Sequence, residues 1–112
     1  SNALETGILA MAAEEQNVFK ILMKLMDPRS GAGHICSVPI KSVVQGIEEL
    51  SFADLHARVW QACGGILLGW KRALDRYPEL NPSHKNRPYE WTSTGKDELL
   101  VFRPEPVSVA SS

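Results

Sequence analysis

Between Leu50 and Phe102 the apolar positions change period twice. Phe52, Leu55, Val59 and Ala62 recur at three- and four-residue steps, the repeat of a helix with one buried face. Ser51, just before them, is a good N-cap, since its hydroxyl can accept from the free backbone N–H groups of the first turn. Asp54 stands three residues on, where a carboxylate answers the cap and favours the positive helix end. Leu50 and Leu55 hold the two positions of a hydrophobic staple across that cap. Gly64-Gly65 then stops the helix. The period collapses in Ile66-Leu67-Leu68-Gly69-Trp70-Lys71-Arg72, a strand too apolar to have one wet face. Glu98-Leu99-Leu100-Val101-Phe102-Arg103 predicts the return strand.

Upstream, Leu4, Ile8, Met11, Val18, Leu22 and Leu25 fall near a three-then-four spacing, interrupted at Glu15. Leu9, Phe19, Met23 and Met26 add a second apolar flank. The pattern predicts a helix over Leu4–Met26 whose broad apolar arc demands contact on two sides, and both a core helix and a dimer interface satisfy that demand. Asp27-Pro28 ends it, and Arg29-Ser30-Gly31-Ala32-Gly33 is a turn. His34 to Ile40 predicts a short strand, and Pro39, which cannot donate to a ladder, places it at a sheet edge. Ser42 to Leu50 is ambiguous: Val43, Val44 and Ile47 fit a strand or one helical turn before Gly46. Asp75 to Pro88 holds three prolines and cannot be regular along its length. Pro88 to Thr92 alternates as a brief strand, Ser93 to Asp97 turns into the last one, and residues 105–112 form a frayed tail.

The fold expected is therefore α+β. Strands near 35–40, 65–72, 88–92 and 98–103 make a small mixed or antiparallel sheet, the helix from Phe52 packs on one face, and the Leu4–Met26 helix packs at an edge or interface.

Composition narrows the function. A chain of 112 residues is one domain, small enough to want a partner. Its net charge of −1, with basic residues scattered among acidic ones, offers no stripe for nucleic acid. Cys36 and Cys63 do not make a disulfide framework. No apolar run reaches the roughly 20 residues that span a bilayer, and the opening does not read as a secretory signal. Ser1-Asn2-Ala3 reads as the remnant of a removed expression tag, so a larger parent protein is expected.

Candidate chemistry is sparse. His34, Cys36, Cys63 and His84 are soft ligands, but no pair has zinc spacing. Cys63 falls at a helix C-terminus, where the dipole raises a thiol pKa, and Cys36 lies in an apolar strand. Glu48-Glu49, Asp75, Glu79, Glu90 and Asp97-Glu98 sit on no recognisable catalytic scaffold. His56 reads as a partly buried surface histidine. Gly31-Ala32-Gly33 and Gly64-Gly65 lack the strand-to-helix context of a phosphate loop. The stretch Asn81 to Pro88 is polar, basic and held by prolines, which suits either a rigid connector or a loop for an anion or a partner. The reading is of a chain with no catalytic residue, metal or cofactor. Its candidate ligand contacts are Arg72, Asn81, His84 and Arg87.

Taken in order, Glu49-Leu50-Ser51-Phe52-Ala53-Asp54-Leu55, Gly65-Ile66-Leu67-Leu68-Gly69-Trp70-Lys71-Arg72, Asn81-Pro82 and Asp97-Glu98-Leu99-Leu100-Val101-Phe102 resemble the C-terminal, TrkA-C-like lobe of RCK domains, the regulators of potassium conductance. The Asn-Pro step and long linker resemble most the large gated channels of the Castor/Pollux and calcium-activated potassium types. Two details depart from that pattern: Ser83 follows Pro82 where relatives tend to carry a second proline, and Lys96 splits the usual Gly-Asp. The glycine-rich nucleotide lobe is absent, so nucleotide binding is not implied. The resemblance implies a lobe over 29–104 that acts as a cytoplasmic ligand-sensing or assembly module of a potassium or other cation channel or transporter. It further implies pairing into a homodimer or higher homo-oligomer, a membrane pore domain in the parent and a small-molecule or ion effector, while the scattered charge speaks against a nucleic-acid partner. The alternatives are an accessory domain of an enzyme, with the polar loop touching substrate, and a protein–protein adaptor.

Overall fold

Ser51 and Asp54 start the helix by exchanging hydrogen bonds. The Asp54 N–H donates to Ser51 Oγ (3.1 Å) and the Ser51 N–H donates to Asp54 Oδ2 (3.0 Å). This capping box opens helix α1, Phe52–Cys63, in a computed structural model that describes residue 24 and residues 27–105. The predicted Leu4–Met26 helix, residue 24 apart, and residues 106–112 lie outside the described residues. Gly64 closes α1 at φ 67°, a left-handed conformation that glycine adopts without a Cβ penalty. Phe52, Leu55 and Val59 are buried as the periodicity predicts. Ala62 is exposed instead, and half-buried Cys63 ends the inner stripe, because 3.6 residues per turn carry the face past Ala62. Ser51→Ala should lower stability by about 0.5–2 kcal/mol, read as a shift in the urea midpoint.

Among the described residues, six strands accompany the helix: β1 (Gly33–Pro39), β2 (Ile47–Leu50), β3 (Ile66–Lys71), β4 (Glu79–Leu80), β5 (Tyr89–Thr92) and β6 (Glu98–Pro104). The α+β class is as expected, and β1 lies at an edge as Pro39 requires. The single predicted sheet is divided, however. One antiparallel sheet runs β1-β6-β3-β4, and β5 leaves it to pair with β2 in a two-stranded ribbon. The reason lies in the segment that was ambiguous in sequence. Residues Ile40–Ser42 make a single 3-10 turn, Gly46 takes φ 63°, and the strand can begin only at Ile47, opposite Thr92. Ile47 itself is 73% exposed, so the ribbon has one wet face.

Within the larger sheet, Leu67 pairs with Val101 and Gly69 with Leu100, leaving Leu68 as the extra residue of a bulge. The bulge explains why Leu67 and Trp70, three apart, both join the core. Gly69 lies so close to β4 that a Cβ built on it would overlap the Glu79 carbonyl. The core fills the space between α1, the ribbon and one sheet face, with Ile40, Val44, Leu50, Leu55, Val59, Leu67, Trp70, Trp91, Leu99 and Val101. Trp70 meets Trp91 edge-on at 5.1 Å and Phe52 at 5.8 Å. Trp91 Nε1 donates to the Leu50 carbonyl at 3.0 Å, which satisfies the one polar atom its burial would otherwise strand.

Candidate functional site

The proline-bearing loop is anchored by its backbone. Asn81 takes φ 48°, and its N–H donates to the Leu68 carbonyl at 2.7 Å, at the bulge. Pro82 is buried. Lys85 draws the loop inward: its ammonium donates to Asn81 Oδ1 (2.8 Å) and to the Pro82 carbonyl, and lies 4.8 Å from the Phe52 ring centroid. The Lys85 carbonyl accepts from the Ala53 N–H at 3.0 Å, satisfying a donor that the first helical turn leaves open. Against this fixed frame His84 and Arg87 are exposed.

Arg72 stands apart from that loop. Its guanidinium lies 3.9 Å over the Trp91 ring, Nη2 donates to the Glu90 carbonyl (2.9 Å), and Nε is 3.8 Å from Asp97 Oδ2. Asp97 Oδ1 in turn accepts from the Ala73 N–H at 2.7 Å. Of the four candidate contacts, the structure thus brings Asn81, His84 and Arg87 together on one loop, while Arg72 spans β3 and β5. Lys85 was not among them; its only signal in sequence was the four-residue step from Asn81.

A second feature had no sequence signal. A cleft of about 470 Å³ opens beside the 3-10 turn, lined by Lys41, Ser42, Gln45, Glu48 and Arg58 among others. Arg58 Nη1 and Nη2 donate to the two Glu48 carboxylate oxygens at 2.8 and 2.9 Å, and Nη1 also donates to the Val43 carbonyl at 2.9 Å. The Gln45 N–H adds a third hydrogen bond to the carboxylate at 3.0 Å. These donors, Arg58 first and then the Gln45 amide, hold the Glu48 carboxyl down at about 2 from an ordinary 4.5. Lys41 and Ser42 line the cleft beside the Glu48–Arg58 pair.

Because the folded state favours ionised Glu48, its contribution to stability is complete above about pH 4.5 and is lost as the pH falls toward 2. The urea midpoint of the native protein should therefore drop through that window, and the drop should be smaller in Glu48→Gln.

Among the remaining candidate groups, His56 and Cys63 hold structural hydrogen bonds. His56 Nδ1 accepts from the Leu67 N–H at 3.2 Å, tying α1 to β3, and its ring stacks on Phe52. Burial pushes the Cys36 thiol above its ordinary range, and Cys63 Sγ donates to the Val59 carbonyl at 3.4 Å. His34 and Glu105 face each other at 3.4 Å on the surface. Among the described residues, no three His, Cys, Asp or Glu side chains gather as a metal site, and no helix is long and apolar enough to cross a membrane.

No family model matches the chain. It is similar to ion channel DMI1 of Medicago truncatula, at 29% identity over 92 residues, covering 82% of this chain and 10% of that protein. It is likewise similar to the probable ion channel POLLUX of Arabidopsis thaliana, at 27% identity over 92 residues, covering 82% of this chain and 11% of that protein. The chain thus spans about a tenth of the length of the curated relatives it matches.

Proposed function

We propose that this chain is a regulatory module of a cation channel, built like the C-terminal lobe of an RCK domain and acting without making or breaking bonds. The observation that carries the reading is the similarity to two ion channels across 82% of the chain. The order of helix, strand, proline-bearing linker and last strand, on which the resemblance to that lobe rests, supports the reading. Such a module acts through differential contacts in two arrangements of an interface, on the cytoplasmic side of a pore and paired with a second copy. A pinned backbone presenting free side chains suits the contact itself, since little ordering remains to be done when an effector or partner arrives. His84 and Arg87, on the loop that Asn81 opens, are the proposed contact, while Arg72 is engaged apart from it with Glu90 and Trp91 of β5.

The test is made in the parent channel. His84→Ala with Arg87→Ala should shift the effector dependence of ion flux and leave maximal flux unchanged. Unaltered effector dependence removes the loop from the proposal, whereas flux that persists unchanged after deletion of residues 29–104 overturns the regulatory reading.

A further inference from the structure

The two edges of the four-stranded sheet are built differently. At one, β4 is two residues long, carries Glu79 and lies between Pro78 and Pro82. A short, charged strand bounded by prolines offers little to a further strand. At the other edge, β1 runs for seven residues and pairs with β6 without a register shift. It holds no Lys, Arg, Asp or Glu, and its single proline is its last residue. Among the described residues, nothing pairs with its outer side.

Two hydrogen bonds flanking the β1–β6 ladder tell which backbone groups face outward. The Ile40 N–H donates to the Asp97 carbonyl at 3.1 Å, and the Glu105 N–H donates to the Ala32 carbonyl at 3.0 Å. Both pairs continue the register of the ladder. Bonded pairs recur at every second residue of an antiparallel ladder. The even-numbered residues of β1 therefore bond β6. The N–H and C=O groups of Gly33, Ile35 and Ser37 point away from it, as does the Pro39 carbonyl.

We propose that this outer edge pairs antiparallel with the same edge of a second copy of the chain, about a two-fold axis at Cys36, so that two four-stranded sheets become one. In that register Ile35 lies opposite the second copy's Ser37, and the two exchange both hydrogen bonds. Gly33 lies opposite the second copy's Pro39, which needs only to accept. The missing proline N–H thus weakens the two ends of the pairing and spares its centre. Gly33–Pro39 maps onto itself over its whole length, and no like charges come face to face, because His34 meets Val38. Cys36 and Val38, half-buried at the margin of the core, gain cover on the same face. The inference rests on the pairing proposed above and names the surface that makes it; the contact at His84 and Arg87 is not involved.

Single-cysteine chains test it. In Cys63→Ser the two Cys36 residues would form a pair without hydrogen bonds, about 4.5 Å apart at Cα, within the roughly 4.4–6.8 Å that a disulfide spans. Diamide should then link the folded full chain into a covalent dimer: two thiols give up two protons and two electrons to its N=N bond, which is reduced to the hydrazine. In Cys36→Ser with Ser37→Cys and Cys63→Ser, the thiol lies opposite residue 35 of the copy, and the chain should stay unlinked over the same time. Equal linking of the two chains, or none in either, overturns the inference. As a second measurement, Ser37→Pro removes an outward donor and leaves the bonds to β6 in place. Light scattering should show the dimer dissociating at a concentration about tenfold higher or more. A dimer that Ser37→Pro leaves intact is joined elsewhere, which overturns the inference and leaves the pairing standing. A native chain that stays monomeric at high concentration overturns both.

Discussion

Trp91→Ala should lower the unfolding free energy by about 3–5 kcal/mol, a large fraction of the roughly 5–15 kcal/mol available to a domain. Three consequences combine in that loss. The largest fully buried side chain disappears and leaves a cavity between the two sheets. The Leu50 carbonyl loses the indole N–H that donates to it. The Arg72 guanidinium loses the ring it lies on, while its Nη1 is already buried without a partner among the described residues. Trp91→Phe separates these effects: it restores much of the volume but leaves the carbonyl unpaired, and should cost about 1–3 kcal/mol. Urea unfolding followed by far-ultraviolet circular dichroism reads both variants. A loss below about 1 kcal/mol for alanine would show that the sheets are joined by something other than this ring.

Gly69→Ala should cost about 1–3 kcal/mol by overpacking, and its damage should be local. The added methyl overlaps the Glu79 carbonyl, so β4 must move off β3. Asn81 follows, because its N–H bonds Leu68 in the adjoining turn of backbone. Limited proteolysis should then cut within residues 79–88 at a protease concentration that leaves the native chain intact. Cutting spread evenly over the chain would mean that β4 is not the point of failure.

The local features of this fold were legible because neighbours in sequence decide them. Ser51, Asp54 and Gly64 mark α1 to the residue at both ends, and Pro39 places β1 at an edge. What the sequence could not disclose depends on residues far apart. The β2–β5 ribbon needs Ile47 opposite Thr92, and Val43 and Val44 are equally apolar whichever way the chain turns. The bulge at Leu68 is invisible in a run of five apolar residues, because every register looks alike. Of the site, the loop was recognisable from its prolines and charge, but the Glu48–Arg58 pair was not. Ten residues separate them, and only the return of α1 alongside β2 brings them together.

Arg72 reaches from the end of β3 to the carbonyl and ring of β5 and toward Asp97 ahead of β6. One planar cation is thus bolted across both β-layers, with the Trp91 indole as its washer. Shear between the layers would have to slide that plane off the indole and break the Glu90 hydrogen bond together. The joint therefore resists slippage, and a push on either layer is passed to the other instead of being dissipated where they meet.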